Sequence, residues 1–258
     1  MCLIGFALDA HPQYALVLAA NRDEFHHRPT APATWWDDAP QIFGGRDLKS
    51  HGSWLALARD GRWAAVTNVR RMIPPDPNAP SRGGLVAQYL RGSQTARHYG
   101  AALQAEAARY AGFNLLLGDA DGTWYLSNHG RFRRERLGAG VHAVSNAALN
   151  TPWPKLIALR EALRDWCARG RTDTASLIAA LASDHVAEDA VLPDTGVGAE
   201  MERFLAPAFI RGEHYGTRSS TVLLVDRNGR ALFTEHRFGR NGVPSGQTVE
   251  TLQLAARN

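Results

Sequence analysis

The chain has 258 residues, 45% hydrophobic and 21% charged, an ordinary globular balance that excludes a fibrous or disordered class. Its net charge of +4 is small for the length, and all but two of its 29 basic residues are arginines scattered along the chain, so no nucleic-acid partner is expected. Two cysteines are too few for a disulfide framework, and no uninterrupted apolar run reaches the roughly 18 residues of a membrane helix. The expectation is one domain over 1–258, cytoplasmic, without stable membrane insertion; the oligomeric state is left open.

Residues 2–8 and 14–20 are near-continuously apolar and predict two strands covered on both faces, joined by a turn at His11-Pro12. Residues 21–40 are polar and proline-bearing and read as an irregular loop containing Trp35 and Trp36. Residues 53–59 and 62–68 flank Asp60-Gly61, a hairpin signal. The proline-rich stretch 72–80 predicts a loop. Ser81 precedes a helix through Leu90, and Ser93 is placed to cap another through Tyr110. A hairpin over 113–118 and 123–128 turns at Asp121-Gly122, and the basic run 131–136 reads as a solvated strand or hairpin. A short strand over 141–145 ends at Asn146. Helices follow over 153–169, with Pro154 in the first turn, and over 175–182. Residues 219–225 and 231–236 form a closing hairpin about Asn228-Gly229. Hairpins require antiparallel pairing, and helices set between them must cover sheet faces. The fold class is therefore α+β, with two antiparallel sheets face to face and helices outside.

The residue with the sharpest chemical meaning is Cys2. If Met1 is removed, Cys2 carries a thiol and a free α-amine, whose pKa of roughly 7.7–8.0 suits it to act as base for its own nucleophile. The competing reading is a small hydrophobe starting a buried strand. Other chemistries lack their signatures. The ten histidines form no recognised metal spacing, the paired glycines are not phosphate loops, and Ser219-Ser220 lacks a nucleophile elbow. No metal or cofactor is called for. Arg22 and Asp23 follow the strand expected to pair with that of Cys2, and Arg22 is expected to favour the thiolate. Asn68 and Asn146 end strands and can present amides, and Arg218 precedes the last hairpin. Each alone also reads as a turn asparagine or a surface arginine. Asn21, Trp35, Trp36 and Trp54 are the candidates for binding substrate. Cys167 reads as helix packing.

An ordered series of motifs resembles the NRDE family, also called the transport and Golgi organisation 2 family. It comprises Met1-Cys2, Asn21-Arg22-Asp23-Glu24-Phe25, Gly44-Gly45-Arg46-Asp47-Leu48, Gly52-Ser53-Trp54-Leu55 and Val66-Thr67-Asn68-Val69-Arg70. It continues through Ser81-Arg82-Gly83-Gly84-Leu85, Val144-Ser145-Asn146 and Tyr215-Gly216-Thr217-Arg218-Ser219-Ser220-Thr221. That family resembles N-terminal nucleophile cysteine hydrolases of the penicillin V acylase and bile salt hydrolase group. The resemblance implies a four-layer αββα sandwich. It implies Cys2 as nucleophile, supported by Arg22 and Asp23, with Asn68 and Asn146 at the oxyanion or substrate and Arg218 completing the site. The acylases carry Arg-x-x-Asp where this chain has adjacent Arg22 and Asp23, which leaves their separate roles open. The implied function is hydrolysis of a non-peptide amide of a small acyl substrate. The alternative is a non-catalytic carrier of a hydrophobic ligand, lipid or haem, with Trp35, Trp36, Trp54 and Trp63 lining the pocket and His26, His27 or Cys2 available to haem iron.

Overall fold

The computed structural model describes residues 2–70 and 76–255. The expected loop over 72–80 therefore lies partly outside the described residues. The elements, in chain order, are strands β1 (Cys2–Leu8), β2 (Tyr14–Phe25), β3 (Thr30–Trp36), β4 (Ala39–Asp47), β5 (Leu55–Ala58) and β6 (Trp63–Asn68), then helices α1 (Arg82–Arg91) and α2 (Ala96–Glu106). Strands β7 (Phe113–Asp119), β8 (Gly122–Ser127), β9 (Arg133–Leu137) and β10 (Gly140–Val144) precede helices α3 (Pro154–Ala168), α4 (Ala175–Leu181) and α5 (Ala199–Leu205). The chain closes with β11 (Tyr215–Asp226), β12 (Arg230–Phe238) and β13 (Pro244–Gln253).

The strands form a six-stranded sheet in the order β10-β1-β2-β11-β12-β13 and a seven-stranded sheet in the order β3 to β9. Every described pairing is antiparallel. Side chains alternate between two apolar environments along β1. Ile4, Phe6 and Leu8 enter the layer between the sheets, while Leu3 and Ala7 meet α3 and α4. A third cluster joins the other face of the seven-stranded sheet to α1 and α2. The architecture is an αββα sandwich, and the unbroken apolar runs of β1 and β2 follow from their being covered on both faces. Gly5 is part of that fit. A Cβ there would lie 2.5 Å from Leu163 Cδ1, so α3 packs directly on the β1 backbone.

Three sequence expectations change. Residues 21–40 are not an irregular loop: β2 runs on to Phe25, and β3 supplies the edge of the second sheet. The polar residues that suggested a loop are tolerated in these strands because Arg22 faces a cavity, Asn21 and Asp23 are hydrogen-bonded where they are buried, and β3 lies at a sheet edge. The second helix starts later than Ser93, at Ala96, because the Thr95 hydroxyl accepts the His98 amide as N-cap, and it ends at Glu106 in a single 3-10 turn. Strands β4 and β13 and helix α5 had no periodic signal strong enough to be read.

Candidate active site

β1 and β2 are paired so that Cys2 lies opposite Arg22. Both belong to the row that faces the layer between the sheets, as Ile4 and Ala20 do one step further in. Cys2 is half-buried and opens on a cavity of about 470 Å³. Its wall is built by β2 (Arg22, Asp23, Glu24), by Trp54, by the end of β6 (Asn68) and by the start of α1 (Arg82). The close approach of Gly52 to Gly83 makes the last of these walls: a Cβ on Gly52 would sit 2.4 Å from the Gly83 carbonyl carbon, and the Ser53 amide donates to the Gly83 oxygen at 3.1 Å.

The backbone of Cys2 is tied to the opposite sheet. Ser145 Oγ donates to the Cys2 carbonyl at 2.9 Å, and Thr67 Oγ1 of β6 donates to the Ser145 carbonyl at 2.5 Å. Asn114 Nδ2 adds a bond to Thr67 Oγ1 at 3.0 Å, and Tyr125 OH donates to Asn114 Oδ1 at 2.7 Å. This buried chain of polar groups fixes the mouth of the sandwich around Cys2, since a satisfied network in low dielectric is rigid.

Adjacency in sequence puts Arg22 and Asp23 on opposite faces of β2. Arg22 is buried, its guanidinium 4.4 Å over the Trp54 ring, and Nη1 donates to Thr30 Oγ1 at 3.3 Å. Asp23 is buried on the helix side, and Thr217 Oγ1 donates to its Oδ1 at 2.7 Å. Burial raises the Asp23 carboxyl, opposed by the charges of Lys155 and Arg22 and by the Thr217 bond. Burial also pushes the Cys2 thiol up; Asp23 and Glu24 push the same way, and Arg22 only partly offsets them. Arg22 favours the thiolate, as expected, but desolvation outweighs it, and the thiol is held above its ordinary range, in need of a base.

The other expected site residues divide. Asn68 lines the cavity, with no hydrogen bond from its side-chain amide among the described residues. Asn146 is buried behind it; its Nδ2 donates to the Asn68 carbonyl at 2.9 Å, so it positions Asn68 and does not line the cavity. Arg218 is not on the Cys2 cavity. Its Nη1 is held by the carbonyls of Phe25, His26 and Arg28 at 2.9 to 3.3 Å, because a bulge between Thr217 and Ser219 turns it toward that loop. Asn21 is likewise corrected. It faces the helices, its Nδ2 donating to Leu181 and Ala208 carbonyls at 2.8 and 2.7 Å. Trp54 lines the cavity, but Trp35, Trp36 and Trp63 do not. Trp35 packs edge-on to Phe43 under Arg59, Trp36 donates its indole N–H to the Gly44 carbonyl, and Trp63 is core. His26 turns its Nε2 to the Gly212 carbonyl at 3.1 Å and His27 packs at a tilt against the Phe25 ring, and neither lines the cavity.

Residues that the sequence reading passed over complete the wall. Arg28 donates to Asp47 Oδ2 at 2.6 Å, and Glu24 and Arg82 line both this cavity and a larger groove. Glu24, Asp47 and Arg82 stand inside the quoted motifs, which was the available signal, and Arg28 lies three residues beyond one. The groove has a volume of about 980 Å³ and is largely apolar, with Phe25, Val69, Tyr110, Phe132 and Phe204 in its walls. Behind the site lies Lys155, buried, its Nζ donating to the Leu205 carbonyl at 2.7 Å. Lys155 shares the apolar stripe of α3 with Leu159 and Leu163, an anomaly the helical spacing displays.

Two results are expected. First, limited alkylation with peptide mapping labels Cys2 before Cys167. Cys167 is 3% exposed in the helix-facing core, and burial pushes its thiol up to about 11. Preferential labelling of Cys167 would contradict the exposure of Cys2. Second, burial lowers Lys155 from 10.5 to about 8, with Asp23 opposing. Between those values the unfolded chain binds the extra proton, so the penalty of this group is complete below about pH 8 and fades toward 10.5. Urea unfolding at stepped pH should show the parent gaining on Lys155→Met across that window. A constant difference would mean that the ammonium does not titrate there.

A family model described as Transport and Golgi organisation 2 matches residues 1–240. The chain is 36% identical over 261 residues to the Transport and Golgi organization protein 2 homolog of Bos taurus, covering 91% of this chain and 92% of that protein. It is 34% identical over 257 residues to the Homo sapiens homolog, with the same coverage of 91% and 92%. Among solved structures it resembles a mutant conjugated bile acid hydrolase from Clostridium perfringens, with a TM-score of 0.53, 8% identity and coverage of 97% and 92%. It also resembles the Caenorhabditis elegans ortholog of N-acylethanolamine-hydrolyzing acid amidase, with a TM-score of 0.50, 10% identity and coverage of 86% and 92%. These neighbours share the N-terminal nucleophile hydrolase fold. By the match over most of its length and by the similarity to these homologs, the chain belongs to the Transport and Golgi organisation 2 family.

Proposed function

We propose that the protein is a cysteine hydrolase of a non-peptide amide in a small acyl substrate. The observation that carries this reading is the position of Cys2 at the mouth of the sandwich, half-buried on the cavity, opposite Arg22 and beside Asp23. The likeness of the fold to two proteins named as hydrolases is consistent with it. After removal of Met1, the α-amine takes the thiol proton as sulfur attacks the substrate carbonyl. It returns that proton to the leaving amine, and water then releases the acyl group from the thioester. A protonated resting thiol suits this scheme, since the amine has a proton to accept. Arg22 and Asp23 contribute from the two faces of β2: Arg22 beside the thiol in the cavity, and Asp23 beneath it from the helix side. Asn68 offers an amide to the oxyanion, held in place by Asn146.

A second reading rests on the groove. It is larger than the cysteine cavity and shares Glu24, Arg28, Asn68 and Arg82 with it, so a hydrophobic ligand could be carried with no chemistry at Cys2. Intact mass combined with turnover of an acyl-amide panel separates the two. The hydrolase requires Met1 to be absent and amide to be cleaved. If a Met1-retaining form cleaves amide as fast as the processed one, the α-amine mechanism is excluded; if neither form cleaves any amide while a hydrophobic ligand binds, the carrier reading replaces it.

A further inference from the structure

Arg22 and Trp54 are a partition. On one side is the Cys2 cavity; on the other is a separate cavity of about 220 Å³, also lined by Arg218, Ser219, Glu235 and Arg237. We propose that this second cavity binds a phosphate group, between the guanidiniums of Arg22, Arg218 and Arg237 and the hydroxyl of Ser219.

The sheet register builds the site. Ser219 of β11 is the Cα partner of Arg22 on one flank and of Arg237 on the other. Ser219 shares its face of β11 with Leu223 and Val225, and Arg237 shares its face of β12 with Ala231 and Phe233, all in the layer between the sheets. An Arg-Ser-Arg row thus crosses three adjacent strands on the inner face. Arg218, displaced by the bulge, adds a third guanidinium. Its Nη1 is committed to backbone carbonyls, and its other N–H groups make no hydrogen bond among the described residues.

Two observations point to an anion. Ser219 is 3% exposed, yet its Oγ has no hydrogen-bond partner among the described residues, and buried hydroxyls are ordinarily paired. The charge does not cancel either. Three guanidiniums line the cavity with one carboxylate, that of Glu235, whose Oε1 already accepts from the Ala33 amide at 3.0 Å and from Arg237 Nη1 at 3.2 Å; Glu24, which does not line this cavity, reaches Arg22 at 4.0 Å and leaves the set cationic. Burial and the charge of Arg22 weaken the hold of Arg218 on its proton, with Glu24 opposing, and a bound anion would relieve that cost. A planar carboxylate offers two oxygens in one plane. The donors here come from three strands and, with the Ser245 hydroxyl, line the space from several sides, which suits a tetrahedral oxyanion and its larger charge.

The same chemistry fits free phosphate or the phosphate end of a larger molecule. Calorimetric titration of the full chain with inorganic phosphate and with an alkyl phosphate monoester, at constant chloride, tests the proposal. Ser219 and Arg237 line this cavity and not that of Cys2, so Ser219→Ala and Arg237→Gln address it alone. Saturable binding is expected in the parent, weakened about tenfold in each variant, as for loss of a hydrogen bond to a charged group. Comparable affinities for the two probes indicate the free anion, and tighter binding of the monoester indicates a larger ligand. Ser219→Ala is expected to melt no lower than the parent, since it removes an unpaired buried hydroxyl, so its binding loss cannot be attributed to unfolding. Absence of saturable binding of either probe to the parent, or equal affinity in the parent and both variants, would overturn the assignment.

Discussion

Cys2→Ala is expected to abolish amide turnover, with a loss on the order of 10⁴–10⁶, as for removal of a nucleophile that acts as a unit with its base. The fold should survive. Cys2 is only half-buried at the first position of β1, and the bond that anchors it, from Ser145 Oγ, goes to its backbone carbonyl and not to its side chain. Cys2→Ser is the more searching variant. It keeps a nucleophilic atom, the α-amine and the shape of the site. A hydroxyl is far harder to deprotonate than a thiol, so serine should leave only a small residual rate. Asn68→Ala should be milder, about 10²–10³, the usual loss for one oxyanion donor. Steady-state turnover of acyl amides by the three variants and the parent, with circular dichroism to verify folding, makes the comparison. Undiminished turnover in Cys2→Ala would place the chemistry elsewhere.

The largest effect on stability should come from Glu202. This carboxylate of α5 is 4% exposed and pairs with Arg70, 5% exposed in its side chain, at 2.6 Å. It also accepts from Thr195, at 2.7 Å from the amide and 2.5 Å from the hydroxyl. Glu202→Ala strands the Arg70 cation in a low dielectric and leaves both Thr195 donors unpaired. The expected cost is about 3–5 kcal/mol, most of it the penalty for an uncompensated buried charge. Arg70→Ala should cost a similar amount, and the double variant should recover part of it, because the second substitution removes the orphaned charge. Urea unfolding of the three variants and the parent measures this. A loss below about 1 kcal/mol for Glu202→Ala would show that water reaches Arg70 and that the pair behaves as a surface bridge. Since Met201, Phe204 and Leu205 wall the apolar groove, the same variant should also loosen ligand binding there.

What the sequence determined by itself was the periodic and the local. Apolar runs of β1 and β2 declared strands covered on both faces, because burial on two sides removes the polar alternation. Turn pairs at Asp60-Gly61, Asp121-Gly122 and Asn228-Gly229 fixed hairpins, and an αββα sandwich followed. The position of Cys2 beside Arg22 was legible once the two strands were paired. Direction and partnership came from packing. Asn21 and Asp23 face the helices while Arg22 faces the cavity, a matter of strand phase. A single bulge turned Arg218 away from Cys2, and no residue type announces a bulge. β3 was obscured by the polar residues around it, which serve a cavity and an edge. Lys155, Arg82 and the Arg70–Glu202 pair come from segments far apart in the chain, and their pairing and burial arise only when those segments meet. Local pattern encodes which face is apolar; which charges confront each other across a closed sandwich is set by packing alone.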